Sequence, residues 1–475
     1  MSDSRSITRL AQFAHGLSLD DLPTGAAQQW STPEHANATM SFANAPTDVR
    51  DRVVDLIADT IATIAFGSRR GEIRALQSET TAGGATGGAT VIGSRAGWPG
   101  TTAAFLNASA GATDQLQDGH RPGRGHPASH IVPALLALAE ERDLSGEDLL
   151  SGVLAGYETG VRLGRAMGGT NPGVHDIGTW GSVGVAAGVV RMLRPGDAAA
   201  STRAIELAQS AVLLTDAATI FTGADGGHAF LGASAQLGLT LGVAAASGLA
   251  PLPGSLERHF GPVAAGDLDR APIDEWNSYE ILGGYVKQHP TCAHLHGVND
   301  AVADLPPIDV ADIVDVEVRA FAAAAAFDDI ADTELAARFS VPTSVAVALA
   351  HGALDETTLT AESVASSREL ASRVRVIHDP ELDAGYPYGR PARVTVRLTD
   401  GSELTASTDR PRGDADRAFT RGELRQKAHR LLTHRFGSAH AGRILDAIHA
   451  LPFGGTPRGV GRALRVAALR PGGEK

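Results

Sequence analysis

The run Ala392-Arg-Val-Thr-Val-Arg-Leu-Thr-Asp-Gly-Ser-Glu-Leu-Thr-Ala-Ser407 decides how the chain divides. Apolar, largely β-branched residues alternate with polar ones on either side of Asp400-Gly401, the pattern of two strands joined by a tight hairpin. Ile313–Arg319 and Val374–Ile377 read as strands too, and helical patterns at 330–350 and 361–371 lie between them. Residues 272–412 are therefore expected to form an α+β unit. Outward from it the pattern changes. Towards the N-terminus lie long Ala/Leu/Val-rich segments parted by Gly or Pro, at 101–113, 131–142, 146–168, 178–193, 197–216 and 230–249. They are too long for strands and apolar on most faces, as helices buried within a bundle are. Val53, Val54, Ile57, Ile61 and Ile64 share one helical face that stops near Gly67, and the helical period returns at 420–435 and 441–450. The fold class is mainly α, with residues 48–271 and 413–475 helical. Residues 1–7 read as a tail, 8–19 as a short amphipathic helix and 22–48 as an irregular connection.

The 475 residues suffice for two or three domains. A net charge of −13 argues against nucleic acid, which needs a basic surface, and means that an anionic substrate requires a local basic pocket. Aromatic residues make up only 5% while Gly reaches 55, so closely packed helices are expected. Cys292 is the sole cysteine, which excludes an internal disulfide and a Cys-rich zinc site. No apolar run approaches 18 residues without a charge or turn signal, and the first residues lack a signal-peptide core. A cytoplasmic protein is expected. The Gly/Thr-rich stretch 80–100 lacks the spacing of a nucleotide loop, and no cofactor motif is present.

Chemistry-bearing residues gather in four places. Asp118-Gly-His-Arg-Pro-Gly-Arg-Gly-His-Pro-Ala-Ser-His130 holds three His, two Arg and an Asp, and its Gly and Pro make it a loop. Its plain reading is a solvated basic loop. In His175-Asp-Ile-Gly-Thr-Trp-Gly-Ser-Val-Gly184, Asp176 is either a helix cap beside a structural His or part of a site. Tyr285-Val-Lys-Gln-His-Pro-Thr-Cys-Ala-His-Leu-His296 resembles a metal box only weakly, and proton transfer or anion contact suits it better. Thr222–Gly232 carries Asp225 and His228, which either face a pocket or are loop residues. Together they suit proton abstraction next to a carboxylate, with imidazole as base and cations stabilising an enediolate.

These segments, from about residue 48 to 465, resemble the MmgE/PrpD family. The likeness rests on Asn107 to Arg121, Gly125-His-Pro127 followed by Pro133-Ala134, and Gly156-Tyr-Glu158 with Arg162. It continues through His175 to Gly184, Lys287 to His296, Phe339-Ser-Val-Pro342 and Pro411-Arg-Gly-Asp414. The resemblance implies a large helical domain built from both ends of the chain, with a smaller α+β lid at 272–412 inserted into it. It also implies a site between them, a homodimer, and no cofactor. Asp118, His126, His175 and the segment around Lys287 carry over as site residues. Several positions depart from the family pattern: Gln115 and Gln117 replace acidic residues, Gly227 stands where the lyases place a lysine, and His289 replaces a tyrosine. Ala128 also replaces the serine of His-Pro-Ser. The expected activity is a lyase, a dehydratase of a small carboxylate; an epimerase, a decarboxylase or a non-catalytic carboxylate-binding relative are the alternatives. His126 or His175 is the expected base, Asp118 orients one of them, and His289 is an acid. Arg121, Arg124 and Lys287 hold carboxylates, with His120 and His228 completing the substrate-facing set.

Overall fold

Glycine spacing sets how closely the central helices meet. Gly152, Gly156, Gly160 and Gly164 recur every fourth residue along the helix Gly146–Ala166, so they share one face. That face lies on the helix Trp180–Leu193. A Cβ on Gly156 would sit 2.6 Å from the Gly184 carbonyl oxygen, and one on Gly184 would sit 2.7 Å from that of Gly156. The backbones touch there, and any side chain would push them apart. The longer helix is started by a reciprocal cap between Ser145 and Asp148.

The computed structural model describes residues 42, 45–84, 86–274 and 278–465. The tail, the helix at 8–19 and most of the connection at 22–48 lie outside the described residues. The fold is mainly α. Around the central pair pack the helices Thr47–Gly67, Gly100–Ala112, Pro127–Arg142, Ala198–Gln209 and Gly226–Ala246. The last of these corrects the expectation that no apolar run is long enough to cross a membrane: its 21 residues pass by length and composition. Half of its apolar window is nevertheless buried, and Gly238 and Gly242 press against Val185 and Val189 of the central pair. It is a core helix of the bundle.

Two other expected helices are shorter. The segment 197–216 leaves the helix after Gln209, because the chain there is needed elsewhere: Thr215 accepts from the His175 backbone N–H at 2.9 Å, and Leu213 donates to Gly178 at 3.0 Å. The pattern at 330–350 breaks into Glu334–Ala337 and Val341–His351, the second opened by a Ser340 cap with Pro342 in its first turn.

The hairpin forms as its sequence dictates. Ala392–Leu398 and Glu403–Thr408 pair antiparallel, and Gly401 adopts φ 85° in the turn, where a side chain would be strained. Ile313–Ala320 adds antiparallel to the first arm, and Val374–His378 adds parallel to Ile313–Ala320. The helices His296–Ala303 and Val341–His351 pack on this four-stranded sheet. Beyond it, Arg421–Phe436 returns to lie on Thr47–Gly67. Lys427 reaches Asp59 at 2.8 Å and the Leu116 carbonyl at 3.0 Å, joining the two ends of the described chain just behind the histidine-rich loop.

Candidate active site

The loop that begins at Asp118 is shorter than its Gly and Pro content suggests. Pro127 does not end regular structure but begins it, as the first residue of the helix Pro127–Arg142 with His126 as N-cap residue. A proline needs no partner for a missing N–H there. Gly119–His120 pairs antiparallel with Gly284–Tyr285, which brings the segment 284–296 against the loop.

Asp118 is fully buried and spends its carboxylate on the helix. Oδ2 accepts from the Ala128 N–H at 3.1 Å and Oδ1 from the Ser129 hydroxyl at 3.2 Å. Burial nonetheless pushes its carboxyl up to about 7, the two hydrogen bonds opposing only in part. Its link to His126 runs through the main chain: the Asp118 carbonyl lies 2.5 Å from His126 Nδ1. A carbonyl only accepts, so Nδ1 carries the proton and Nε2 keeps its lone pair. His126 is half-buried. The surrounding protein, then Lys287 and the neighbouring His175 and His130, hold its pKa well below the ordinary value. At neutral pH it is an unprotonated base. His130 repeats the geometry one turn on, its Nδ1 2.9 Å from the His126 carbonyl, with Nε2 buried and unpartnered.

The second cluster supplies a largely buried His–Asp pair. His175 Nδ1 faces the Asp176 carboxylate at 3.0 Å and the Ile177 N–H at 3.2 Å. With Nδ1 bare it accepts from Ile177; with Nδ1 protonated it donates to Asp176. Burial raises the Asp176 pKa, against the pull of His175, and Asp176 Oδ2 is buried without a partner. The raised pKa favours a proton on Asp176 itself. Gly125 passes so close that a Cβ there would fall 2.4 Å from Asp176 Oδ2.

His175 and Asp176 line a cavity of about 170 Å³ with Arg124, Trp180, Phe221, His294 and Tyr386. Arg124, held at φ 51°, is exposed and makes no ion pair among the described residues, which leaves its guanidinium for an anion. Lys287 is fully buried close by and donates to Gln115 Oε1 at 3.1 Å. Burial brings its ammonium down to about 7, with the Cys292 thiol pulling the other way. Cys292 is itself buried, and its thiol is pushed up by that burial, the opposite of an activated nucleophile.

Other expected site residues are committed elsewhere. Arg121 grips Asp414 through two nitrogens, at 3.1 and 2.7 Å, and lies 3.9 Å over the Tyr285 ring. His120 accepts from the Gly123 N–H and faces Glu280 at 3.4 Å; burial lowers its pKa to about 4. His289 has Nδ1 on the Leu354 carbonyl at 3.0 Å and Nε2 on Asp300 at 2.9 Å, beside a different cavity. His228 sits in the first turn of Gly226–Ala246, its pKa lowered by burial to about 4, and, like His126 and Lys287, it is not on the wall of the 170 Å³ cavity. In exchange the cavity gains residues absent from the expected set. His294 has a buried, unpartnered Nδ1 and is held neutral by burial and by Arg390. Asp176 was legible as half of a His-Asp pair, and His294 as one of three His in the segment 285–296. Tyr386 carried no signal.

Comparison with known proteins matches both parts of the chain to one family. The MmgE/PrpD N-terminal domain matches residues 36–265 and the MmgE/PrpD C-terminal domain residues 289–452. A cis-aconitate decarboxylase of Aspergillus terreus (strain NIH 2624 / FGSC A1156) is 25% identical over 421 residues, 80% of this chain and 84% of the relative. The cis-aconitate decarboxylase-like protein oryM of Aspergillus oryzae is 32% identical over 182 residues, 34% of this chain and 38% of the relative.

Proposed function

Because this chain belongs to the MmgE/PrpD family, we propose that it is a lyase, and more narrowly a dehydratase, acting on a small carboxylated substrate. The observation that carries the reading is the locked tautomer of His126, a neutral imidazole with Nε2 bare and Lys287 nearby. Arg124, on the cavity wall, binds a substrate carboxylate, and Lys287, when protonated, adds positive charge on the Asp176 side. His126 Nε2 removes the proton on the carbon next to that carboxylate. Negative charge then builds on the carboxylate oxygens, where the cations stabilise it. Asp176, whose pKa burial raises, gives a proton to the leaving hydroxyl, which departs as water, and His175 holds its carboxyl in place.

Decarboxylation is the second reading, favoured by the two relatives, a cis-aconitate decarboxylase and a cis-aconitate decarboxylase-like protein. Proton NMR in deuterated water separates the two. A panel of hydroxy, unsaturated and amino di- and tricarboxylates is incubated with the protein. Dehydration gives a new alkene signal from a hydroxy member, with every carboxyl carbon retained. Release of carbon dioxide from an unsaturated member would replace the dehydratase reading with a decarboxylase. Deuterium uptake with no elimination would replace both with epimerisation.

A further inference from the structure

The 170 Å³ cavity holds roughly six waters' worth of space, enough for a carboxylated head group and little else. A second cavity of about 600 Å³ lies directly beside it. Phe221 and His294 stand on the walls of both. An aromatic path runs through them: His175 lies 5.0 Å from Phe221, Phe221 5.7 Å from Phe327, and Phe327 6.4 Å from Phe339. The short side chains of Ala323 and Ala326 leave the space beside Phe327 open. Phe221 and Ile330, 39% and 36% exposed, present apolar surface to it. The charged residues on its wall are Asp329 and Asp332, both acidic, and Asp332 is engaged by Arg368. No Lys or Arg lines it among the described residues.

We propose that the outer chamber receives an uncharged apolar arm of the same substrate, so that the enzyme acts on hydroxy-carboxylates bearing an alkyl or aryl substituent. This rests on the lyase reading above. The inner cavity supplies Arg124 for the acid end. The outer one offers aromatic faces and no cation, so a second distant carboxylate would lose its hydration and meet like charge. An alkyl group gains by leaving water. The shared walls at Phe221 and His294 set the two chambers side by side, so head and arm can belong to one molecule.

The test uses the full chain and 2-hydroxysuccinates carrying a 3-alkyl group of one to six carbons. Turnover and dissociation constant are both read for each compound. Each added methylene should raise kcat/KM and affinity by about three- to fourfold until the chamber fills. Replacing the terminal methyl of the longest arm by a carboxylate should cost at least about tenfold. Ala326→Trp, at an exposed chamber position, should collapse the ratio between longest and shortest members. If the short members react but the series is flat or falling, the arm proposal is overturned and the lyase reading stands. If no member binds or reacts, both are overturned. A preference for the terminal carboxylate would overturn the arm proposal alone.

Discussion

His126 and His289 make the same first contact and end in opposite states. Each sets Nδ1 on a backbone carbonyl, Asp118 for one and Leu354 for the other. At His126 the second nitrogen meets no hydrogen-bonding partner among the described residues and stands near Lys287 and His175. At His289 the second nitrogen is taken by Asp300, whose other oxygen accepts from the Arg412 N–H at 2.5 Å. Both regions are rich in histidine, and the cavity beside His289, at about 460 Å³, is the larger of the two that they border. Neither histidine density nor cavity size separates chemistry from architecture here. Between these two histidines, the partner of the second nitrogen does.

The largest expected effect tests that difference directly. His126→Ala should lower kcat by about 10³-fold, within the range of a lost general base, while far-UV circular dichroism stays unchanged. His289→Ala should do the reverse. It leaves Asp300 buried without its imidazole, at a cost of about 3 kcal/mol, but kcat of the folded protein should stay within about threefold of wild type. Steady-state kinetics and denaturant titration on both variants measure this. An active His126→Ala protein beside an inactive, stable His289→Ala protein would invert the comparison.

A smaller effect concerns what holds His126 in place. Burial keeps a proton on Asp118 up to about pH 7, against roughly pH 4 in an unfolded chain. Between those values the folded state binds more protons than the unfolded one, so stability falls as pH rises. The contribution is complete below about pH 4 and gone above about pH 7, with an upper bound on the order of 4 kcal/mol. Asp118→Asn keeps an acceptor for the Ala128 N–H and cannot ionise, so it should remove that slope. Unfolding free energies at several values between pH 5 and 7 check it, a window below the lowered pKa of Lys287. Parallel slopes for the two proteins would mean that Asp118 is already ionised there.

What the sequence makes legible follows from range. The hairpin at Asp400-Gly401 and the four-residue glycine spacing of Gly146–Ala166 are local patterns, and both appear in the structure. His126 and His175 stand out because each has its own cluster. Commitment to a partner is not local. Arg121 has the chemistry to hold a carboxylate, but Asp414, 293 residues on, takes it. His289 and His294 are five residues apart in one segment, and only the packing of Asp300 and Leu354 on one and of Phe327 and Tyr386 on the other tells them apart. Pro127 misled because a proline that stops most helices also starts them well.

The smallest effects come from two glycines, one in each region, that resist substitution for different reasons. Gly125 has ordinary backbone angles but no room: a Cβ would lie 2.4 Å from both Asp176 Oδ2 and the Trp180 ring. Gly352, beside the His289 cavity, has nothing within 4 Å but closes the helix Val341–His351 at φ 73°, a conformation that costs an L-residue about 1 kcal/mol. Gly125→Ala must move Asp176 or the indole, so about 2 kcal/mol of stability and about tenfold in kcat should be lost together. Gly352→Ala should cost about 1 kcal/mol with kcat unchanged. Matched melts and kinetics on the pair distinguish a crowded catalytic wall from a strained but idle turn. If Gly125→Ala lost stability alone, the position of Asp176 would not matter to the reaction, and the His175–Asp176 pair would lose its role as the acid.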